Sequence, residues 1–315
     1  MHAAVVTRYG AAPRYQEFPV PVPADDDEML VDVLAAGLHP RVRSQANGSH
    51  YTSTDELPLV PGIDGVGRGP DGLLRYFILP DTTMGAMAEQ TVIDTRRSVV
   101  LEDSVDPVAV AAAMNPAMSS WIALRQRIAF QSGQDVLVLG ATGNSGQLAV
   151  QLAKLSGARN VIAAGRNPAR LATLPALGAT ATVSLDSGEH LAEVAADVGI
   201  VLDYVWGEPA AAAMATIITA RADRGKPLTW IQIGSVAGRT APIPSAALRA
   251  ARLQIMGSGQ GSVSAGEYLA ELPALAELIS AGTLDIAARA MPLADVEQAW
   301  GTDAGQRIVL VTAAR

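Results

Sequence analysis

The stretch Asp135-Val-Leu-Val-Leu-Gly140-Ala-Thr142-Gly143-Asn144-Ser145-Gly146-Gln-Leu-Ala-Val-Gln-Leu-Ala-Lys154 constrains this chain more than any other. Val136, Leu137, Val138 and Leu139 are apolar without alternation, the pattern of a strand buried on both faces in a parallel sheet. Gly140 and Gly143 permit a tight turn and close backbone approach, and Gly146 lets the next helix pack against the strand. The N–H groups at that helix N-terminus suit an anion. Leu148, Leu152 and Leu155 share one helix face, with Gln147, Gln151 and Lys154 elsewhere. Strand, glycine turn and helix in this order predict a pyrophosphate site built from Gly140, Thr142, Gly143, Asn144, Ser145 and Gly146, and hence a bound dinucleotide. The competing reading is a turn that only packs a helix on a strand.

The next strand, 160–164, runs into Gly165-Arg166-Asn167-Pro168-Ala-Arg170. A carboxylate in this region would hold the ribose 2′-hydroxyl of NAD, and none is there. Two guanidiniums suit a 2′-phosphate, so Gly165, Arg166, Asn167 and Arg170 predict NADPH. Asn167 also reads as an N-cap with Pro168 at the first helical position, which would leave the arginines as solvated charges. Further strand candidates at 181–185, 200–205, 229–233 and 254–256 bring the count to six, as in a doubly wound sheet with its crevice beyond the strand C-termini. On that topology Val205, Trp206, Gly234, Ser235, Gly259 and Gln260 line the cofactor.

The first hundred residues carry apolar β segments at 3–6, 29–35, 66–67 and 87–93, broken by Pro, Gly and Asp. Pro19, Pro21 and Pro23 cannot donate to a ladder and mark an edge or connector. Asp25-Asp26-Asp27-Glu28 reads as a solvated turn. The chain has no cysteine, which removes disulfides, thiolate catalysis and cysteine-based zinc sites. A net charge of −8 opposes non-specific nucleic-acid binding. Neither a signal core nor a spanning helix of about 20 strongly apolar residues is read, so no membrane and a cytoplasmic location are expected.

Several segments then follow one another in a specific order: Gly37-Leu-His39-Pro40, Gly48-Ser-His50-Tyr51, Val60-Pro-Gly62-Ile-Asp64-Gly-Val-Gly67, Gly85-Ala-Met-Ala-Glu89, Met291-Pro292-Leu-Ala-Asp295-Val-Glu-Gln-Ala299 and Arg307-Ile-Val-Leu-Val311. Nearly the whole chain thereby resembles the medium-chain dehydrogenase/reductase superfamily, in its zinc-free quinone oxidoreductase and enoyl reductase branch. The resemblance implies an α/β fold: a doubly wound parallel sheet (Rossmann) domain plus a GroES-like β-rich catalytic domain. The expected limits are 1–118 for the first part of the catalytic domain, 119–263 for the cofactor domain and 264–315 for the return to the catalytic domain. Nicotinamide and substrate would meet between the two.

The same resemblance implies a reductase that passes hydride from NADPH to a quinone or enone, a small-molecule partner, with protein groups polarising the carbonyl and returning a proton. Tyr51 is the leading donor candidate, with a packing role as its alternative. His39 stands where many relatives carry asparagine; it is expected to line the site, and an imidazole near its ordinary pKa would serve as a proton relay. Ser119, in Asn115-Pro116-Ala-Met-Ser119-Ser120-Trp121, is a cofactor contact or, with Ser120, an N-cap for the helix bearing Trp121. Arg307 joins the cofactor set. No metal is expected: His39, His50 and Asp64 are scattered. After Gly67 the chain reaches Gly85 in fewer residues than relatives use. Segments around 243–256 would pair two copies as a homodimer. An enoyl thioester reductase, or a sensor that binds NADPH without turnover, remain the alternatives.

Overall fold

The computed structural model describes every residue except Tyr51, Gln260, 303–306 and 313–315. The chain divides into two compact units, one made of Met1–Asn115 and Leu272–Arg315, the other of Pro116–Glu271. The first unit opens with β1 (His2–Val5), β2 (Arg14–Glu17), β3 (Glu28–Gly37), β4 (Asp64–Arg68), β5 (Leu74–Ile78), β6 (Gln90–Asp94) and β7 (Ser98–Leu101). The second unit holds β8 (Asp135–Leu139), β9 (Asn160–Gly165), β10 (Ala181–Ser184), β11 (Ile200–Asp203), β12 (Leu228–Gln232) and β13 (Leu253–Gly257). The chain then returns to the first unit with β14 (Arg289–Pro292) and β15 (Ile308–Val311).

Among the described residues of the first unit the main sheet has the order β14-β15-β3-β4-β5-β7, with β6 also on β3, and β1 pairs β2 separately. β15 runs antiparallel to β3, so both chain ends build one β-rich unit. Its core gathers Val31, Val33, Phe77, Met87 and Ile93 with Met291, Val296 and Leu310 from the C-terminal part. The passage after Gly67 is a hairpin: β4 and β5 pair antiparallel, and the Gly69 and Leu73 backbones close a turn over Gly72 at φ +80. Gly72 meets no atom where a Cβ would stand, so glycine serves here only for its backbone freedom.

Among the described residues of the second unit all six strands are parallel, in the order β10-β9-β8-β11-β12-β13. β8 shows why its sequence lacks alternation. Val136 and Val138 enter one core with Ala149, Val150 and Ala153, while Leu137 and Leu139 enter the other with Val201, Met214 and Trp230. The sheet therefore has apolar cores on both faces. The chain builds outward from β8 through β9 to β10, then crosses back to β11 and builds the other way. The reversal lies between β8 and β11, where such sheets hold their ligands.

Some expectations are corrected. On the helix Asn144–Leu155 the buried face is wider than the leucine stripe: Gln151 is buried among Ala149, Val150 and Ala153, and Leu155, in the last turn, is exposed. Ser119 and Ser120 do not cap a helix, because Pro107–Ile122 is continuous through them despite the internal Pro116. That helix, extended to Arg127, is also long and apolar enough to cross a membrane by composition, and 67% of its most apolar 18-residue window is buried in the fold. The second unit ends at Glu271 rather than at 263. Glu271 explains the longer limit, since its carboxylate accepts hydrogen bonds from Trp121 Nε1 (2.6 Å), Arg125 Nε (2.7 Å) and Gln126 Nε2 (2.6 Å).

Candidate functional site

The glycine turn is folded tightly at the C-terminal end of β8. The Gly140 and Ala141 N–H groups both donate to the Ala164 carbonyl (2.9 Å each), Gly143 N–H donates to Gly140 O (3.0 Å), and Gly140 sits at φ +83. A Cβ at Gly146 would overlap the Gly140 carbonyl oxygen, and one at Gly165 would stand 2.5 Å from Thr142 Cγ2. Glycine is thus required for the closeness of the two elements. Gly143 is the N-cap of Asn144–Leu155 and makes no side-chain cap hydrogen bond, and a helix N-terminus set in such a turn suits an anion. Asn144 and Ser145 stand in its first turn, half-buried.

At the end of β9, Asn167 caps the next helix by accepting from Arg170 N–H (3.0 Å), with Pro168 at the first helical position. The two arginines then part in role. Arg170 donates to the Thr142 carbonyl (3.2 Å) and braces the glycine turn. Arg166 is exposed and lines a pocket of about 850 Å³ with Glu208, Pro209, Val236, Ala237 and Thr240. The last five were not read from the sequence, because loops after β11 and β12 carry no motif of their own.

The far wall of the reversal is the segment after β11. Gly140 approaches it so closely that a Cβ there would lie 3.2 Å from both Tyr204 Cβ and Val205 Cγ2, and a Cβ on Gly234 would lie 2.7 Å from Tyr204 O. Val205 is therefore brought to the glycine turn and Gly234 to the neighbouring Tyr204, while Trp206 packs against the apolar core and Ser235 is exposed just beyond. Trp206 has φ 52 and ψ −164, a region that costs a non-glycine residue of the order of 1–3 kcal/mol. Asp203, fully buried, accepts from Val205 N–H (2.8 Å) and Trp206 N–H (2.9 Å) on one oxygen and from Trp230 Nε1 (2.8 Å) on the other. A carboxylate ending the apolar run Ile200-Val-Leu was a readable signal of such a role. Ser119 Oγ lies 2.9 Å from the Tyr204 hydroxyl, whose pKa burial pushes up to about 12. Gly259 N–H donates to Ser262 Oγ (2.9 Å) after β13, and Gln260 lies outside the described residues.

In the first unit, His39 follows β3 as the N-cap of Pro40–Ala46, with Pro40 opening the helix. Its ring folds back so far that a Cβ on Gly37 would overlap Nε2, which explains the glycine two residues before it. Nε2 lies 3.6 Å from Asp64 Oδ1, and Asp64 Oδ2 accepts from the Tyr76 hydroxyl (2.9 Å). Both His39 and Asp64 are buried. Burial first, then the Arg307 and Arg41 charges, lower the His39 pKa to about 4, against a hydrogen bond to Ala111 that raises it. Burial raises Asp64 to about 7, although Tyr76 and Arg41 favour its charge. This pair is neutral at mildly acidic pH rather than an ion pair. The expectation that His39 itself titrates near neutrality is corrected: the group that does so is Asp64.

Arg307 belongs to this unit, buried, with its pKa lowered to about 10 by burial against the opposing charge of Asp285. Tyr51 lies outside the described residues. His50, next to it, is held below its ordinary pKa by burial and by Arg41, with Asp81 opposing. Among the described residues no three His, Asp or Glu groups are gathered to hold a metal ion.

The profile of the zinc-binding dehydrogenase family matches residues 146–280. The chain is 30% identical to a probable NADPH-dependent quinone reductase of Emericella nidulans, an alignment covering 99% of this chain and 100% of the relative. It is 26% identical to an NADPH-dependent alkenal/one oxidoreductase of the Arabidopsis thaliana chloroplast, over 57% of this chain and 50% of the other. Among solved structures, the quinone oxidoreductase of Thermus thermophilus matches with a TM-score of 0.84 at 24% identity, covering 99% of this chain and 100% of that one.

Proposed function

The chain belongs to the medium-chain dehydrogenase/reductase superfamily, in its zinc-free quinone oxidoreductase branch, and from that premise we propose an NADPH-dependent reductase of quinones or α,β-unsaturated carbonyls that works without zinc. The observation that carries the reading is the Gly140–Gly146 cradle at the sheet reversal, with an uncapped helix N-terminus inside it and Arg166 exposed at the end of β9.

These residues fit the cofactor. Gly140, Thr142, Gly143, Asn144, Ser145 and Gly146 would surround the pyrophosphate. Arg166 would pair with the 2′-phosphate, while Gly165, Asn167 and Arg170 shape that end. Ser119, Val205, Trp206, Gly234, Ser235, Gly259, Gln260 and Arg307 complete the proposed set. When bound, NADPH supplies one hydride equivalent. An enone would receive that hydride at its β carbon and a quinone on its ring, with one proton taken up at the α carbon or oxygen. Tyr51 is proposed to donate to the substrate oxygen. His39 is proposed as a neutral polar wall, with the proton of its pair resting on Asp64 below about pH 7. A cytoplasmic homodimer is part of the proposal, supported by the place of β13 at the edge of its sheet.

The test is NADPH oxidation, followed by its near-ultraviolet absorbance, with quinones, simple enones and crotonyl-CoA in parallel. Turnover of a quinone or an enone is expected. Turnover of crotonyl-CoA alone would transfer the activity to thioesters, and none with any acceptor would leave a binding protein.

A further inference from the structure

We propose that Glu208 is a specificity-determining residue for the cofactor: its carboxylate shares the Arg166 pocket and opposes a 2′-phosphate there, holding the preference for NADPH below what Arg166 alone would give. This rests on the NADPH reading above.

The two side chains come from opposite flanks of the glycine turn. Arg166 follows β9 and Glu208 follows β11, and these strands stand on either side of β8. Glu208 lies in the first turn of the helix Gly207–Ala220. The segment that delivers it is clasped to the loop after β12. Ala237 N–H donates to Val205 O (2.9 Å), and a Cβ on Gly207, at φ +68, would lie 2.8 Å from Ala237 O. The clasp sets Glu208 beside Val236, Ala237 and Thr240, with which it lines the pocket.

Of the residues lining this pocket only Arg166 and Glu208 carry charge. Arg239 falls between the lining residues Gly238 and Thr240 without being one of them, and Arg170 is turned to the Thr142 carbonyl. Arg166 and Glu208 are both exposed, and among the described residues neither is engaged in an ion pair. A phosphate monoester carries about −1.5 to −2 charge at neutral pH, so one guanidinium balances only part of it. A carboxylate on the same wall repels it. The ribose 2′-hydroxyl of NADH is neutral and meets no such repulsion, so the Glu208 charge bears on one cofactor and spares the other. An acid in a first helical turn also favours the helix, but it does so whatever is bound, and that contribution cancels when two ligands are compared.

Calorimetric titration of the full chain with adenosine 2′,5′-bisphosphate and with adenosine 5′-monophosphate isolates the 2′-phosphate, the one group by which they differ. Glu208→Gln should bind the bisphosphate about threefold to tenfold more tightly than wild type, with the monophosphate within about twofold. The gain should shrink towards unity at about 1 M salt, where the Debye length is about 3 Å. A change in packing would not respond to salt in this way. Glu208→Lys should move the bisphosphate further in the same direction. Unchanged or weaker bisphosphate binding, an equal gain for both ligands, or a gain that persists at high salt overturns the role. A wild-type chain that binds the bisphosphate no more tightly than the monophosphate would instead sink the NADPH reading itself.

Discussion

Nε2 of His39 lies 3.6 Å from Oδ1 of Asp64, and neither atom has a hydrogen-bond partner. In so dry a place both groups favour their neutral forms, so their titrations run opposite to those of an ion pair. The unfolded chain binds more protons than the folded one at His39 between about pH 4 and 6.5, and fewer at Asp64 between 3.8 and about 7. Stability therefore rises with pH through His39 and falls with pH through Asp64, each by up to about 1.4 kcal/mol per pH unit, and the two nearly cancel. Urea unfolding across this range separates them. Relative to wild type, Asp64→Asn should lose stability as pH falls from 6.5 to 4, and His39→Asn should gain it as pH falls from 7 to 4. Variants whose profiles parallel the wild type would contradict this account of the pair.

Glu271 behaves as the opposite kind of carboxylate. Burial disfavours its charge, but hydrogen bonds from Gln126, Arg125 and Trp121 outweigh burial and hold it below its ordinary pKa. A depressed carboxylate contributes stability above its unfolded value of 4.5, and that contribution is lost as pH falls through the folded value. Glu271→Gln should cost about 1–3 kcal/mol at pH 7. Denaturant titration at pH 7 and at pH 3 should show the gap between variant and wild type shrinking at the lower pH.

Gly146 leaves no room for a methyl group, because its Cβ would overlap the Gly140 carbonyl oxygen and stand 2.7 Å from Ala141 Cα. Gly146→Ala should strain the turn by about 1–3 kcal/mol and weaken NADPH binding at least about tenfold. Gly72→Ala, at a hairpin turn with open space around it, should leave NADPH affinity unchanged. Equal NADPH affinity in both variants and the wild type would count against the cradle.

What was legible in the sequence had local causes. β8, the glycine turn and the Asn167–Pro168 helix start are each specified within a few residues, and the structure forms all three. β2 was missed because Arg-Tyr-Gln-Glu offers no apolar alternation, its side chains being mostly exposed. β5, buried throughout, hid in a passage read only as short. The chemistry of the sites depends on partners far apart in sequence. Asp203 reaches Trp230, the His39 pKa answers to Arg307, and Asp64 is shifted by burial that no motif announces. Arg166 and Arg170 looked equivalent as two cations near one strand end. Only the fold separates the exposed one from the one that braces Thr142.

The exposed one, Arg166, carries the central claim, that the site reads a 2′-phosphate. The most direct measurement is the ratio of kcat/KM for NADPH over NADH, with the acceptor held constant, in wild type and in Arg166→Ala. One charge-assisted pair with phosphate corresponds to about 1.5–3 kcal/mol, so the wild-type ratio should exceed about tenfold and fall by roughly that factor in the variant through NADPH alone. A wild type that prefers NADH, or a variant with an unchanged ratio, would contradict the account.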